Sequence, residues 1–198
     1  MEQEVIFRTL MGVLFAGFII VRGYHHRCAL KDGGKIEYHE PRGVLMRMLR
    51  LSGGMVLAGA LLLFFFLPDW LAWATVPFPS WLRWAGFGLG VTATMATWWT
   101  EASLGLNFNV TLHLREGHTL VMHGPYRWVR HPMYTSLLGV TISWLLVSSN
   151  WLVGLPGIVG LLTIIVNRVD AEEKMMIETF GEKYRAYLRR TGRFLPGL

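Results

Sequence analysis

Five runs of nearly unbroken apolar sequence constrain this chain more than any other feature. They lie at about residues 5–21, 51–67, 84–99, 134–148 and 151–166. A bilayer core takes roughly 20 apolar residues per helical crossing, and each backbone N–H and C=O must be satisfied within the segment. Runs of this length predict transmembrane helices. The rest of the composition agrees: 16% of residues are charged and mean hydropathy is +0.38, whereas a soluble domain carries about 25% charged residues. Only Ser148, Ser149 and Asn150 separate the last two runs, which predicts a tight helical hairpin, because a single crossing over 134–166 is too long. The first run follows the acidic MEQE and precedes no small-residue cleavage site, so no cleavable signal peptide is expected.

The distribution of positive charge tests the count of five. With the N-terminus outside, the inner segments 22–50, 100–133 and 168–198 hold 7, 3 and 7 of the 19 lysines and arginines. Arg8, within the first run, and Arg83, at the outer end of the third, are the remaining two. Cationic residues gather on the cytoplasmic side of a membrane, and an even number of spans would spoil this separation. The outer loop 68–83 instead carries Trp70, Trp73 and Trp81, with Trp84 just beyond, as an interfacial aromatic belt does. The formal net charge of +6 is thereby assigned to loops facing the cytoplasm and anionic lipid. Nucleic-acid binding is disfavoured, since no basic run is interleaved with stacking aromatics in a soluble segment. The fold expected is all-α: a polytopic integral membrane protein of about five spans, the last two a hairpin, with a cytosolic C-terminal amphipathic helix. Residues 1–198 read as one domain, with three spans in 1–100.

Several motifs carry less than they suggest. GFGLG at 86–90 resembles part of a nucleotide-binding glycine loop, but that needs a strand before it and a helix start after it. Inside an apolar run, Gly86 and Gly90 suit close helix contact instead, as do Gly12 and Ala16. HHRC at 25–28, with His39 nearby, matches no zinc spacing and sits among basic residues. The single cysteine, Cys28, excludes an internal disulfide framework and a cysteine-built zinc site. No metal is expected. Arg8 is either functional or snorkels to the outer surface, and both stay open.

The chemistry concentrates in two polar segments. In GPYRWVRHPMY (124–134), Pro132 suits the first position of a helix with His131 as its cap, and such a start presents free N–H groups and the positive end of the helix dipole. An anion site or simple headgroup anchoring of Arg130 and His131 both fit. After the fifth run, Val169, Met176, Phe180, Tyr184 and Tyr187 recur at helical spacing, predicting an amphipathic helix at the inner surface that Gly181 kinks or divides. Arg168 and Glu172, four apart, share one face. An antiparallel hairpin brings residue 168 level with residue 132, so Arg168, Glu172 and the RHP turn should line one pocket at the inner membrane surface.

Taken in order, GHTLVMHGPYRWVRHPMY, RVDAEE, FGEKYRAY and TGRFLP resemble the isoprenylcysteine carboxyl methyltransferases and their prokaryotic relatives. These belong to a wider set of integral membrane methyltransferases that includes phospholipid N-methyltransferases. The resemblance covers about residues 104–196. It implies S-adenosylmethionine as methyl donor, S-adenosylhomocysteine as product, and a non-Rossmann pocket closed over at the cytosolic face. Residues 101–198 would then hold the cofactor-binding loop, the hairpin and the C-terminal helix. Carried over, the cofactor contacts are His118, Thr119, Leu120, Val121, Tyr126, His131, Pro132, Met133 and Tyr134. Arg168 matches a substrate-orienting arginine and Glu172 a glutamate beside the cofactor, with Glu173 one position away. The implied acceptor is lipidic or amphipathic, an isoprenylcysteine-like carboxylate, in a prokaryotic cytoplasmic membrane with the active site at its cytoplasmic face. The alternatives are a phospholipid amine or thiol methyltransferase, an NADPH-dependent reductase of the sterol-reductase type, and a non-enzymatic membrane scaffold. RHPMY and the paired Glu172–Glu173 favour methyl transfer over the reductase.

Overall fold

A computed structural model describes residues 2–31, 43–105 and 119–197. Its helices are α1 (Glu2–Lys31), α2 (Gly43–Phe66), a 3₁₀ helix Pro68–Ala74, α3 (Ser80–Leu104), a 3₁₀ helix Gly124–Arg127, α4 (Pro132–Ser148), α5 (Trp151–Phe180) and α6 (Glu182–Leu188). Only isolated bridges, and no strand, occur among the described residues. Two of the helical segments, Glu2–Cys28 and Trp151–Phe180, are long and apolar enough to cross a membrane. Leu51–Phe66 and Pro68–Ala74, bent by 119°, make a third if they count as one span, and the apolar Pro132–Ser148 is shorter. The protein is thus an all-α membrane protein whose α1, α2, α3, α4 and α5 coincide with the five apolar runs.

Small residues set how closely these helices approach. A Cβ on Gly86 would stand 2.5 Å from Leu146 Cβ, and one on Gly90 would stand 2.7 Å from Leu14 Cδ1 and 2.8 Å from Ser143 Oγ. The glycines of GFGLG therefore serve contact of α3 with α4 and α1. Around that contact, Phe7, Met11, Leu14, Phe64, Val140, Trp144, Val147 and Val153 form the main apolar core. Phe15 and Phe18 tilt against Trp144 with ring centroids 5.4 and 5.6 Å away.

The α4–α5 hairpin turns as the Ser-Ser-Asn sequence predicts. Ser149 adopts a left-handed φ of 50°, and Asn150 caps α5 by accepting a hydrogen bond from the Leu152 amide at 3.1 Å. The same asparagine donates to the Leu71 carbonyl at 3.0 Å, and the Val76 amide donates to the Ser149 carbonyl at 2.8 Å. The loop between α2 and α3 is in this way fastened over the hairpin's tip. Arg83, 5% exposed, adds a second fastening at this end. Its Nε and Nη2 both donate to the Val147 carbonyl at 3.1 Å, its Nη2 donates to Glu4 at 3.1 Å, and it lies 4.0 Å from the Phe7 ring centroid. Trp70, Trp73, Trp81 and Trp84 are all exposed there, as lipid-interface residues should be. Arg8 lies 5.7 Å from the Phe64 ring centroid.

At the opposite end, α5 runs on to Phe180 without a break, where the apolar pattern ends near 166. Nothing in NRVDAEEKMMIETF interrupts a helix, so the span and the first part of the expected surface helix are one rod. Gly181, with φ 54°, ends it. The apolar stripe beyond faces protein: Tyr184 and Tyr187 are buried with Leu120, against Met176, Ile177, Phe180 and Leu188, while Val169 joins Tyr134 and Leu161 between α4 and α5.

Candidate functional site

Pro132 begins α4, with His131 before it in a non-helical conformation. Proline has no amide, and the Tyr134 and Thr135 amides bond back to the His131 carbonyl at 3.1 and 3.4 Å. Met133 is left as the amide of this turn with no bond among the described residues, at the positive end of the helix dipole. Of the two readings left open for this turn, an anion site would have one N–H and the dipole to work with.

Across the hairpin, the α5 rod presents Arg168, Glu172 and Glu173 to this turn. The Tyr134 hydroxyl donates to Glu172 Oε1 at 2.8 Å, and Arg168 Nη2 lies 3.4 Å from the same oxygen. His131 stands between the two glutamates, with Nδ1 3.7 Å from Glu172 Oε2 and Nε2 3.2 Å from Glu173 Oε1. The convergence inferred from hairpin geometry is present in named contacts. A few helical turns of antiparallel packing join RHPMY to RVDAEE.

The C-terminal segment completes the arrangement, and sequence reasoning gave it no role. The Arg130 and His131 amides donate to the Gly192 and Arg193 carbonyls at 2.9 and 3.1 Å. The Arg130 guanidinium donates from Nη1 to the Leu188 and Thr191 carbonyls, both at 2.9 Å. Thr135 Oγ1 donates to the Phe194 carbonyl at 2.8 Å. Arg193 reaches Glu173 with Nε at 3.2 Å and Nη2 at 2.9 Å, and also pairs with Asp170. Residues 190–194 therefore strap the RHP turn to α5. The TGRFLP motif was the only sign of this, since the 61 residues from Arg130 to Thr191 place the contact beyond any helical periodicity.

Electrostatics separates the two glutamates. Burial opposes ionisation of Glu173, but hydrogen bonds from His131 and Arg193 outweigh it and hold the carboxyl at about 2. That lies below the ordinary value, so its stabilisation is present above about pH 4.5 and disappears as pH falls from there to about 2. The linked free energy is roughly 3 kcal/mol. Hydrogen exchange of the 190–194 amides should consequently accelerate on acidification through that window. In Arg193→Gln the exchange should be faster at neutral pH, with a weaker acid response. Unchanged exchange in the variant would show that Arg193 does not hold the strap.

Tyr187 is pushed up to about 12 by burial and stays a donor, to the Tyr126 carbonyl at 2.7 Å. The Tyr126 phenol is raised further, by burial first and then by Tyr187, Glu101 and Glu172. Of the other cofactor candidates, Leu120 is buried, Val121 half-buried and Thr119 exposed. Leu120 packs under α6, and Pro132 is buried in the turn itself. His118 lies outside the described residues, as does His39. The structure thus joins His131, Tyr134, Arg168 and Glu172 by direct contact.

The family model described as "Isoprenylcysteine carboxyl methyltransferase (ICMT) family" matches residues 86–178, from the α3–α4 contact through both glutamates. Over this stretch, just under half of its length, the chain is similar to that family. Among ICMT relatives, the human protein-S-isoprenylcysteine O-methyltransferase is 33% identical over 94 residues, covering 46% of this chain and 33% of the human protein. The rat protein of the same name is 29% identical over 126 residues, covering 63% of this chain and 44% of its own length. The chain therefore spans less than half of either relative. A solved structure of a eukaryotic intramembrane Ras methyltransferase of the ICMT type has the same fold, with a TM-score of 0.59, 22% identity, and coverage of 93% of this chain and 66% of the other.

Proposed function

We propose that this chain transfers a methyl group from S-adenosylmethionine to a lipidic or amphipathic acceptor at the cytoplasmic membrane face, by carboxyl O-methylation of an isoprenylcysteine-like substrate. The observation that carries it is the meeting of His131 and Tyr134 with Arg168 and Glu172 at the start of α4. The residues present suit the donor, which pairs a carboxylate with a positively charged centre. Met133 offers an amide at a positive helix end, and Glu172 offers negative charge a short distance away. His118, Thr119, Leu120, Val121, Tyr126, His131, Pro132, Met133 and Tyr134 would hold it.

When bound, the donor supplies a methyl group already activated on a sulfonium. The chain's task is to hold the nucleophile in line with that methyl and to exclude water. A carboxylate, with a reference pKa near 4, attacks without a general base at neutral pH. Arg168 orients it through charge-assisted hydrogen bonds, and Glu172 and the Tyr134 hydroxyl fix the position of Arg168. The new oxygen–carbon bond forms as the sulfur–carbon bond breaks, its electron pair remaining on sulfur. The acceptor's lipid tail enters sideways between spans, while the water-soluble donor arrives from the cytoplasm.

Purified protein titrated with S-adenosylhomocysteine and with NADPH should bind the first and not the second. Label from methyl-labelled donor should enter an isoprenylcysteine acceptor in a form that base releases. Base-stable label would move the acceptor to nitrogen or sulfur, and binding of NADPH alone would end the methyltransferase reading.

A further inference from the structure

The outer belt of tryptophans has a counterpart at the other end of the bundle. Trp98 and Trp99 of α3 and Trp128 beside the GPYR turn are 52%, 46% and 47% exposed. At 1.5 Å per residue, Trp98 and Trp99 stand about 21–27 Å along α3 from Trp84 and Trp81, close to the roughly 30 Å of a hydrocarbon core. Two aromatic belts so spaced lie at the two interfaces of one bilayer. Trp99 and Trp128 meet edge to face at 6.0 Å between centroids. The second belt therefore includes the segment that leads into the RHP turn, and it sets Trp128 at headgroup level.

Charge around Trp128 has one sign. Residues 119–131 and 183–198 together hold seven lysines and arginines and no acid. The two stretches are tied to each other, the Gly192 amide donating to the Trp128 carbonyl at 3.2 Å and the Arg130 amide to the Gly192 carbonyl at 2.9 Å. Three of the seven cations are committed to the protein: Arg130 to backbone carbonyls, Arg193 to Glu173 and Asp170, and Arg185 to Glu182. Lys183, Arg127, Arg189 and Arg190 are exposed, and none of them pairs with a carboxylate among the described residues. Arg127 instead lies 5.8 Å from the Trp128 ring centroid. Unneutralised like charges repel one another and favour an anionic partner. A soluble anion would meet the cations and leave the exposed indoles unexplained, and an apolar partner would do the reverse. An anionic phospholipid meets both, with its phosphate on the guanidinium forks and its glycerol and upper acyl carbons against the tryptophans.

We propose that Arg127, Arg189 and Arg190, with Trp99 and Trp128, form a headgroup site for an anionic phospholipid in the leaflet on the candidate site's side. Each of the two hydrogen-bonded stretches contributes cations, so the bound lipid clamps the GPYR segment to the strap of residues 190–194. The site stands apart from the methyl-donor assignment, because none of its residues contacts Arg168, Glu172 or the α4 start in this role.

Fluorescence quenching in vesicles tests it with the full-length protein. The vesicles are phosphatidylcholine doped with equal amounts of either brominated phosphatidylcholine or brominated phosphatidylglycerol. Quenching due to Trp128 is the difference between each chain and the same chain carrying Trp128→Phe. A cation beside an anionic lipid corresponds to roughly fivefold in affinity. Wild type should therefore show Trp128 quenched by phosphatidylglycerol at least about fivefold more effectively than by phosphatidylcholine. The triple variant Arg127→Gln/Arg189→Gln/Arg190→Gln should bring that preference close to unity while Trp128 stays quenched by both lipids. Lys174→Gln, a change to an exposed cation paired with Glu178, should keep the preference. A Trp128 quenched by neither lipid would overturn the site, since the indole would then lie off the bilayer. Equal quenching by both lipids in wild type would also overturn it, and would leave the arginines to a soluble acidic partner. Survival of the preference in the triple variant, or its loss in Lys174→Gln, would reduce it to bulk surface charge. Loss of the preference on adding inorganic phosphate would assign the arginines to a soluble anion instead.

Discussion

Arg168→Ala and Glu172→Ala should each lower methyl transfer by about a thousandfold or more while leaving the protein folded. Removing a charge-assisted hydrogen bond to the acceptor costs about 1.5–3 kcal/mol, and each 1.36 kcal/mol is tenfold in rate. Misplacing the nucleophile by about 1 Å can cost a further hundredfold. Both losses apply to Arg168→Ala, which deletes the group proposed to orient the acceptor. Glu172→Ala acts on the same geometry from behind, because its carboxylate anchors Arg168 and receives the Tyr134 hydroxyl. Neither change should unfold the chain. Both side chains lie at the edge of the packing, 23% and 21% exposed, and the newly unpaired Tyr134 hydroxyl costs about 1–3 kcal/mol. Label incorporation measures the rate, thermal unfolding in detergent measures the fold, and affinity for S-adenosylhomocysteine separates the two residues. Arg168→Ala should keep that affinity, whereas Glu172→Ala, beside the proposed donor site, should weaken it. Full activity in both variants would remove them from the site.

The largest structural effect is expected away from the polar cluster, from Gly154→Val. A Cβ at Gly154 would lie 2.3 Å from Leu145 Cβ and 2.5 Å from Leu145 Cα, so the collision is partly with backbone and no rotamer relieves it. The hairpin must open at its tip, where Asn150 and Ser149 also hold the loop after α2. Overpacking costs typically 1–3 kcal/mol and more where backbone has to move, so a loss of roughly 3 kcal/mol or more is expected. Gly160→Ala, on the same helix with nothing within 4 Å, is the control and should leave stability unchanged or slightly raised, since Ala is the better helix former by about 1 kcal/mol. Comparable thermal stability of Gly154→Val and wild type would refute the contact. Activity should fall with stability, because splaying the hairpin shifts Tyr134 along α5 relative to Glu172.

The sequence made the scaffold legible because its constraints are periodic and local. Apolar length marked the helices, Ser-Ser-Asn marked the turn, and antiparallel pairing then compelled residues 132 and 168 to meet. Spacing of four also read Gly86 and Gly90 correctly as contact points. Contacts of long range and no period were illegible. Nothing in RRTGRF says that Arg193 reaches back to Glu173, or that Arg130 hydrogen-bonds to carbonyls about 60 residues later. The pairing of Arg22 with Glu101 across two helices was equally hidden. The end of the fifth run at residue 166 was misleading in a simpler way: hydropathy ends there, but helix propensity does not, so one rod spans both environments. The choice of donor was not written in periodicity at all and came from the resemblance of ordered motifs.

The strap of residues 190–194 also bears on the order in which the protein is made. Arg130 and His131 leave the ribosome some 60 residues before the carbonyls that accept their hydrogen bonds. Until then the polar turn has its donors served by water, and Glu173 lacks its pairing with Arg193. Newly inserted hairpins therefore pass through an interval in which the spans are in place and the site is not. A chain stopped short of Arg193 would be caught in that interval indefinitely: inserted, helical and unable to hold its turn against α5.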